Sequence, residues 1–266
     1  MYKHLVITAS ALVFGLGVTS TLAADLIEEP IYVEPVAYGG LYLRGAIGMS
    51  NQQLHGGLDN RLYDSVDSLK FLDHGRFSSA PIYNFGIGYE FNDSFRVDGI
   101  VEYRGKADFS ALDRITFYDG PDLVVGSNDY SAKKSEWLVM ANAYYDIFDW
   151  NGIKPYVGAG AGMSRNTISS FSDKGLFEHP INGQYSSLAY GSEHSEWNFA
   201  WALHAGLGID VTDRLTLDLG YSFLHLGDAQ SGDLVAYDGT NNVKNPMKFD
   251  DITSHDLKFG IRYRFF

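Results

Sequence analysis

The sequence predicts an all-β fold: a transmembrane, antiparallel, up-and-down β-barrel of eight strands, preceded by a cleaved N-terminal signal peptide. Three observations predict it. Eight stretches alternate apolar and polar residues with a period of two, as a strand does when its two faces meet different media. The breaks between these stretches are alternately short and long. No stretch of the mature chain reaches the ~20 apolar residues of a helical span, whereas barrel strands cross a membrane with only every second residue apolar.

The chain opens with Lys3 as the sole formal charge before Asp25, an apolar run from Leu5 to Val18, and small residues up to Ala24. This is the pattern of a secretory signal peptide, and the run is too short for a spanning helix. Cleavage is expected after Ala23, with Ala24 as the alternative. Residues 1–23 are then signal peptide, 24–39 an acidic periplasmic leader, and 40–266 the barrel. The leader carries Pro30 and Pro35, which resist helix and central strand alike. Loss of Lys3 takes the formal charge from −13 to −14. Such an acidic chain does not suit phosphate neutralisation, so nucleic acid is not an expected partner. The absence of cysteine excludes disulfides and thiol chemistry.

The strands follow in order. Residues 40–50 place Leu41, Leu43, Ile47 and Met49 outward and Tyr42, Arg44 and Ala46 inward. Residues 80–91 turn through Asn92-Asp93-Ser94 into 95–105, where Arg96, Asp98, Glu102 and Arg104 point inward. In 135–148 the outward row is Trp137, Val139, Ala141, Ala143 and Tyr145, with Leu138 and Met140 competing for that face, and Glu136 points inward. Asn151-Gly152 marks the next turn. Residues 153–164 set Gly158, Gly160 and Gly162 inside, a row that leaves room on one wall. Residues 196–211 alternate most clearly, from Trp197 to Ile209 outward, with His204 inward. After Thr212-Asp213-Arg214, residues 215–226 put Asp218 and Ser222 inside. The last strand, 254–266, alternates Leu257, Phe259, Ile261, Tyr263 and Phe265 against Asp256, Lys258, Arg262 and Arg264. Its aromatic end is the expected assembly signal: Tyr263, Phe265 and Phe266, the last being one residue more than the usual pattern.

Long connections are expected at about 51–79, 106–134, 165–195 and 227–253, all on one side. Outer-membrane barrels have short periplasmic turns and long outer loops, so these four are expected to be extracellular. Aromatic girdles are expected at Tyr89, Phe91, Phe95, Phe148 and Trp150 at one end of the strands and at Tyr103, Trp137, Trp197 and Phe223 at the other.

The opening GLYLRGAIG, the pair NFGIGYEF and FRVDGIVEYR, the segment KPYVGAGAGMSRN and the closing FGIRYRF together make the mature chain resemble the opacity-type surface-antigen family. It is most similar to the major outer-membrane proteins of alphaproteobacteria. The resemblance implies an eight-stranded barrel in the bacterial outer membrane, with loops that serve as antigen, adhesin or envelope-stabilising surface. The partners it implies are outer-membrane lipid and lipopolysaccharide, the barrel-assembly machinery, and an extracellular or host protein.

Candidate chemistry centres on the lumen. Arg44, Arg96, Asp98, Glu102, Arg104, Glu136, Asp218, Lys258, Arg262 and Arg264 all point inward and carry both signs. An eight-stranded barrel is just wide enough for its own side chains, so a paired structural network is expected, with a small-solute channel as the alternative. No cofactor or metal site is expected, because the histidines are scattered and lack helical zinc spacing. A lipid A-modifying enzyme is the further alternative. Ser222 and His225 fall on opposite faces, however, and no Gly-x-Ser-x-Gly motif occurs. The loop aromatics, among them Tyr63, Phe77, Tyr118, Tyr130, Phe171, Phe177, Tyr185, Tyr190 and Tyr237, fit either protein recognition or loops packed on one another.

Overall fold

The computed structural model describes residues 39–239 and 244–265. Among these residues there are ten strands: β1 Gly40–Asp59, β2 Ser68–Phe77, β3 Ala80–Glu90, β4 Phe95–Asp119, β5 Asp122–Asp146, β6 Ile153–His179, β7 Gly183–Gly191, β8 His194–Asp210, β9 Leu215–Ala236 and β10 Pro246–Arg264. Eight of them close a ring of antiparallel ladders in the order β1-β3-β4-β5-β6-β8-β9-β10 and back to β1. The ring closes where Arg44 pairs with Arg262 and Met49 with Leu257. Closure leaves no exposed strand edge in this part of the sheet.

The other two strands continue members of the ring. β2 runs in the direction of β3 and pairs with the same strand, β4, further along. Only Ser78 and Ser79 separate them. β7 stands in the same relation to β8, beside β6, with Ser192 and Glu193 between. The eight-stranded topology therefore stands, with two strands interrupted.

The long loops expected from sequence are a different matter. Segments 51–79, 106–134, 165–195 and 227–253 are mostly strand, with β4, β5 and β6 running for 25, 25 and 27 residues. The connections proper are short. β4 turns into β5 through Gly120-Pro121, and β6 into β7 through residues 180–182. A 3-10 helix, Arg61–Ser65, lies in the β1–β2 connection.

The reason for this extension is an inversion of faces. In the first part of β4 the outward row is Phe95, Gly99 and Val101, and Arg96, Asp98, Glu102 and Arg104 are buried. A β-bulge between Arg104 and Ala107 then shifts the phase. Beyond it Lys106, Asp108 and Ser110 face out, and Ala107, Phe109 and Ala111 are buried. The chain thus passes from a strand suited to lipid to a strand of an ordinary water-soluble barrel. β6 and β10 shift phase at Ser170 and Asp251, two of the three non-glycine residues with positive φ.

The apolar outer band measures the membrane. On β8 it runs from Trp197 to Ile209, a span of 12 residue steps (209 − 197) with every second residue apolar. At ~3.3 Å per residue and a tilt of about 40° this is on the order of 30 Å, the thickness of a hydrocarbon core. Tyr89, Phe91, Phe95, Phe148 and Trp150 are exposed at the end that carries the connections 91–94, 147–152 and 211–214, hereafter the inner end. Trp137 and Trp197 mark the other rim, where Tyr103 packs on Trp137 at 4.9 Å. The inner turns follow local chemistry. Asn151 and Gly152 both adopt positive φ, the condition of a two-residue hairpin turn. Asn92 Oδ1 accepts from the Ser94 and Phe95 amides, and Thr212 Oγ1 from those of Arg214 and Leu215.

Candidate functional site

The lumen is filled in layers. At the inner mouth Arg262 reaches Glu90 at 3.0 Å and Asp218 at 3.3 Å, and Arg264 reaches Glu90 at 2.7 Å. Next come Arg96 with Asp146 at 3.4 Å and Arg44 with Asp98 at 2.7 Å. Tyr42, Tyr144 and Tyr156 pack among these cations, and the Arg96 guanidinium lies 4.1 Å from the Tyr144 ring centroid. At mid-height Arg104 is fully buried against three carboxylates: Glu102 at 2.7 Å, Asp256 at 2.7 Å and Glu136 at 3.3 Å. Lys134 holds Glu136 at 2.6 Å, and Lys258 holds Glu102 at 2.7 Å and Asp256 at 3.5 Å. This layer therefore sets three cations (Arg104, Lys134, Lys258) against three anions (Glu102, Glu136, Asp256). Buried charge needs such pairing, because each ion has lost its water.

The glycine row on β6 does not leave a gap. A Cβ at Gly158 would stand 2.5 Å from Tyr144 Cδ1, and one at Gly160 would meet Asn142 and Met140. Large residues of β5 lean across the glycines, so the small side chains make room for neighbours and not for solvent. Leu138 and Met140 are buried inside, which settles the ambiguity of that stretch in favour of Trp137 and Val139 outward. A cavity of about 20 Å³ remains beside His204, Ser222 and Lys258, room for about one water. His204 is held there by Ser222 Oγ at 2.8 Å and Asn142 Oδ1 at 3.1 Å.

Above the charged layers the contents become apolar. Phe77, Phe109, Phe171 and Phe249 pack ring on ring, with centroids 5.0 to 6.4 Å apart, beside buried Tyr130, Leu226 and Met247. The loop aromatics therefore divide. Phe77, Tyr130, Phe171 and Phe177 are core, while Tyr118, Tyr185, Tyr190 and Tyr237 are exposed.

One acidic pair sits in this outer core, Asp113 buried and Asp173 half-buried. Asp113 accepts from Tyr130 at 2.6 Å and from the Asn128 amide at 2.9 Å. Asp173 faces it with an Oδ1 that has no hydrogen-bond partner among the described residues. Burial, with the charges of Asp113 and Asp129, pushes the Asp173 carboxyl up to about 7. Folding then binds a proton between the ordinary carboxylate range and pH 7, so stability falls as pH rises through that window. We expect the outer extension to be more stable at pH 5 than at pH 8, by on the order of 3 kcal/mol. D173N should abolish the slope and raise stability at pH 8; hydrogen exchange of β6 and β7 amides across pH measures both.

The structure brings Arg96, Asp98, Glu102, Arg104, Glu136, Asp218, Lys258 and Arg262 into the buried interior, keeps Arg44 in the lumen partly exposed, and leaves Arg264 at the mouth, a third exposed. Glu90, Lys134 and Asp146 escaped sequence reasoning, and Asp256, placed on the polar face of the last strand, was not counted in the charge network. Asp146 and Asp256 lie in phase with inward rows already recognised, and Lys134 is one residue outside its recognised stretch. Tyr263 and Phe265 face outward at the inner end, 5.8 Å apart. Phe266, Ala23 and Ala24 lie outside the described residues, as does nearly all of the 24–39 leader. Ser222 is buried in the lumen, and His225 stands on the outer wall, stacked on Trp201 and 3.1 Å from Asp251. Among the described residues no group of three or more His, Asp or Glu is placed to hold a metal.

Residues 9–265 match the family described as the outer membrane protein beta-barrel domain. The chain belongs to that family. Its place is the bacterial outer membrane. An uncharacterised protein of Brucella suis biovar 1 is 31% identical over 274 residues, covering 94% of each chain. A protein of Rickettsia conorii named "Putative adhesin" is 26% identical over 186 residues, 67% of this barrel protein and 65% of its relative. Among solved structures, Neisserial surface protein A aligns over 85% of this chain and 97% of its own, at 17% identity and a TM-score of 0.43.

Proposed function

We propose that this outer-membrane barrel is a non-catalytic surface-interaction protein of the opacity type, whose lumen is a structural plug and whose outer extension is the working surface. The observation that carries the reading is the combination of a lumen packed along its length with four strand-connected extensions that stand well beyond the apolar band. A transporter needs a path, and a binding module needs a platform. In this reading the inner end is periplasmic, and the exposed Tyr118, Tyr190 and Tyr237 of the outer extension meet an external protein. Lipopolysaccharide surrounds the wall, and the assembly machinery reads Tyr263, Phe265 and Phe266. The adhesin name carried by the Rickettsia relative supports this assignment.

The test is adherence. A non-adherent laboratory bacterium displaying the protein should gain attachment to epithelial cells. Tyr118→Ser, Tyr190→Ser and Tyr237→Ser combined should lose most of that gain at equal surface level. No gain by the wild type would overturn the proposal. The plug makes a separate prediction. In planar bilayers the monomer should give no long-lived nanosiemens steps, because the eight-stranded interior is occupied by its own side chains. Reproducible steps of that size would promote the channel alternative.

A further inference from the structure

Among the described residues two strands of the outer extension have an open second edge: β2, which pairs with β4 alone and carries Lys70, Asp73 and Arg76, and β7, which carries no charge. β7 pairs with β6 along its full length, from His179–Gly183 to Phe171–Gly191. On its other side it pairs with β9 only at Ala189, Tyr190 and Gly191. Residues 183–188 therefore present a row of backbone donors and acceptors to solvent, and all six are exposed. The strand lies far from the membrane. From Arg165 at the rim of the band to His179 is 14 residues (179 − 165) of β6, on the order of 35 Å along the barrel axis.

Natural edge strands are usually protected by charge, proline or a bulge. This one has none: Gly183–Gly191 reads GQYSSLAYG. No Asp, Glu, Lys or Arg occurs between Glu178 and Glu193, in a chain where 53 of 266 residues (20 Lys and Arg with 33 Asp and Glu) carry a formal charge. Stacking of Tyr185 on Phe177, centroids 5.3 Å apart, fixes one face of the hairpin. Leu188 and Tyr190 are exposed on the other.

Two facts select the occupant. A contact between identical surfaces sets each residue near the two-fold axis against its own copy, so charge there repels. In a chain of net charge −13, an uncharged edge meets its own copy without that repulsion. The second fact is direction. Two barrels in one membrane hold β7 parallel, and a two-fold along the membrane normal cannot make an antiparallel ladder. Two barrels in facing membranes hold β7 antiparallel, and the axis that relates them lies in the membrane plane, perpendicular to the sheet. That is the symmetry of an antiparallel ladder.

The geometry points to homotypic pairing of β7 with a second copy of this chain on an apposed membrane, centred on Ser186 and holding two cells together. Gln184 would then oppose Leu188, and Tyr185 would oppose Ser187. The inference deepens the surface-interaction reading and rests on the same outward orientation of the hairpins.

Phosphatidylcholine vesicles carrying the purified barrel test it by light scattering. Wild-type vesicles should cluster, with a several-fold rise in apparent size. Ser186→Lys vesicles alone, and Ser186→Glu vesicles alone, should stay single, because each places like charges on the axis. Mixing the two should restore clustering. Ser110→Lys and Ser110→Glu, on the exposed face of β4, should leave clustering unchanged. Heat-modifiable gel mobility confirms that every variant is folded. Wild-type vesicles that stay single, Ser186→Lys vesicles that cluster like wild type, or equal loss from the Ser110 variants would each overturn the pairing. Epithelial adherence retained without clustering would reject self-pairing and leave the adherence proposal standing.

Discussion

Replacing Arg104 with methionine will destabilise the folded barrel by about 3–5 kcal/mol, the range for breaking a buried ionic group by removing one member. Arg104 is fully buried and donates to Asp256 through both terminal nitrogens, at 3.2 and 2.7 Å, to Glu102 at 2.7 Å, and to Ser50 at 3.2 Å. Its loss leaves Glu102, Glu136 and Asp256 with two lysines, so the layer changes from three against three to three against two. The surplus carboxylate is buried away from solvent. Methionine fills much of the volume, which separates the electrostatic effect from a cavity. Denaturant unfolding in detergent micelles should show a clearly lower midpoint for Arg104→Met, with Arg104→Lys between it and wild type. The lysine keeps the charge and loses the fork that engages two carboxylates at once. A midpoint equal to wild type would mean that this layer is solvated and does not act as a plug.

Deleting Phe265 and Phe266 is expected to remove most of the folded protein from the outer membrane. The last strand closes the ring, pairing with β1 on one side and β9 on the other. Its outward row, Leu257, Phe259, Ile261, Tyr263 and Phe265, is exposed along its whole length and so faces lipid. Phe265 also anchors the closure at its base, donating its amide to the Leu41 carbonyl at 3.1 Å. The deletion removes that bond and the aromatic end of the row together. The heat-modifiable band in isolated outer membranes measures the outcome. A truncated protein that reaches the wild-type level of this band would refute an assembly role for these aromatics.

Much of the membrane-embedded fold was legible in the sequence. Leu257 to Phe265, and Trp197 to Ile209, alternate because lipid lies on one side of a single layer of strand and packed polar groups on the other. That constraint is local and writes itself into every second residue. It also located the inward charges at Arg96, Asp98, Glu102, Arg104 and Lys258. Pairing was not legible. Arg104 meets Asp256 across 152 positions and Arg262 meets Glu90 across 172, and only ring closure brings such residues together. The outer extension was misread for a related reason. Lys106, Asp108 and Ser110 alternate with Ala107, Phe109 and Ala111, but the inward residues are smaller and the phase has slipped at a bulge. Without the register of β5 beside it, that stretch reads as a polar loop. The sequence by itself determined which strands cross the membrane and which face of each meets lipid, because that choice depends on solvent alone. Tertiary structure decided which charges neutralise one another, where the faces invert, and which edge stays open at β7, because each depends on the neighbour that a distant segment supplies.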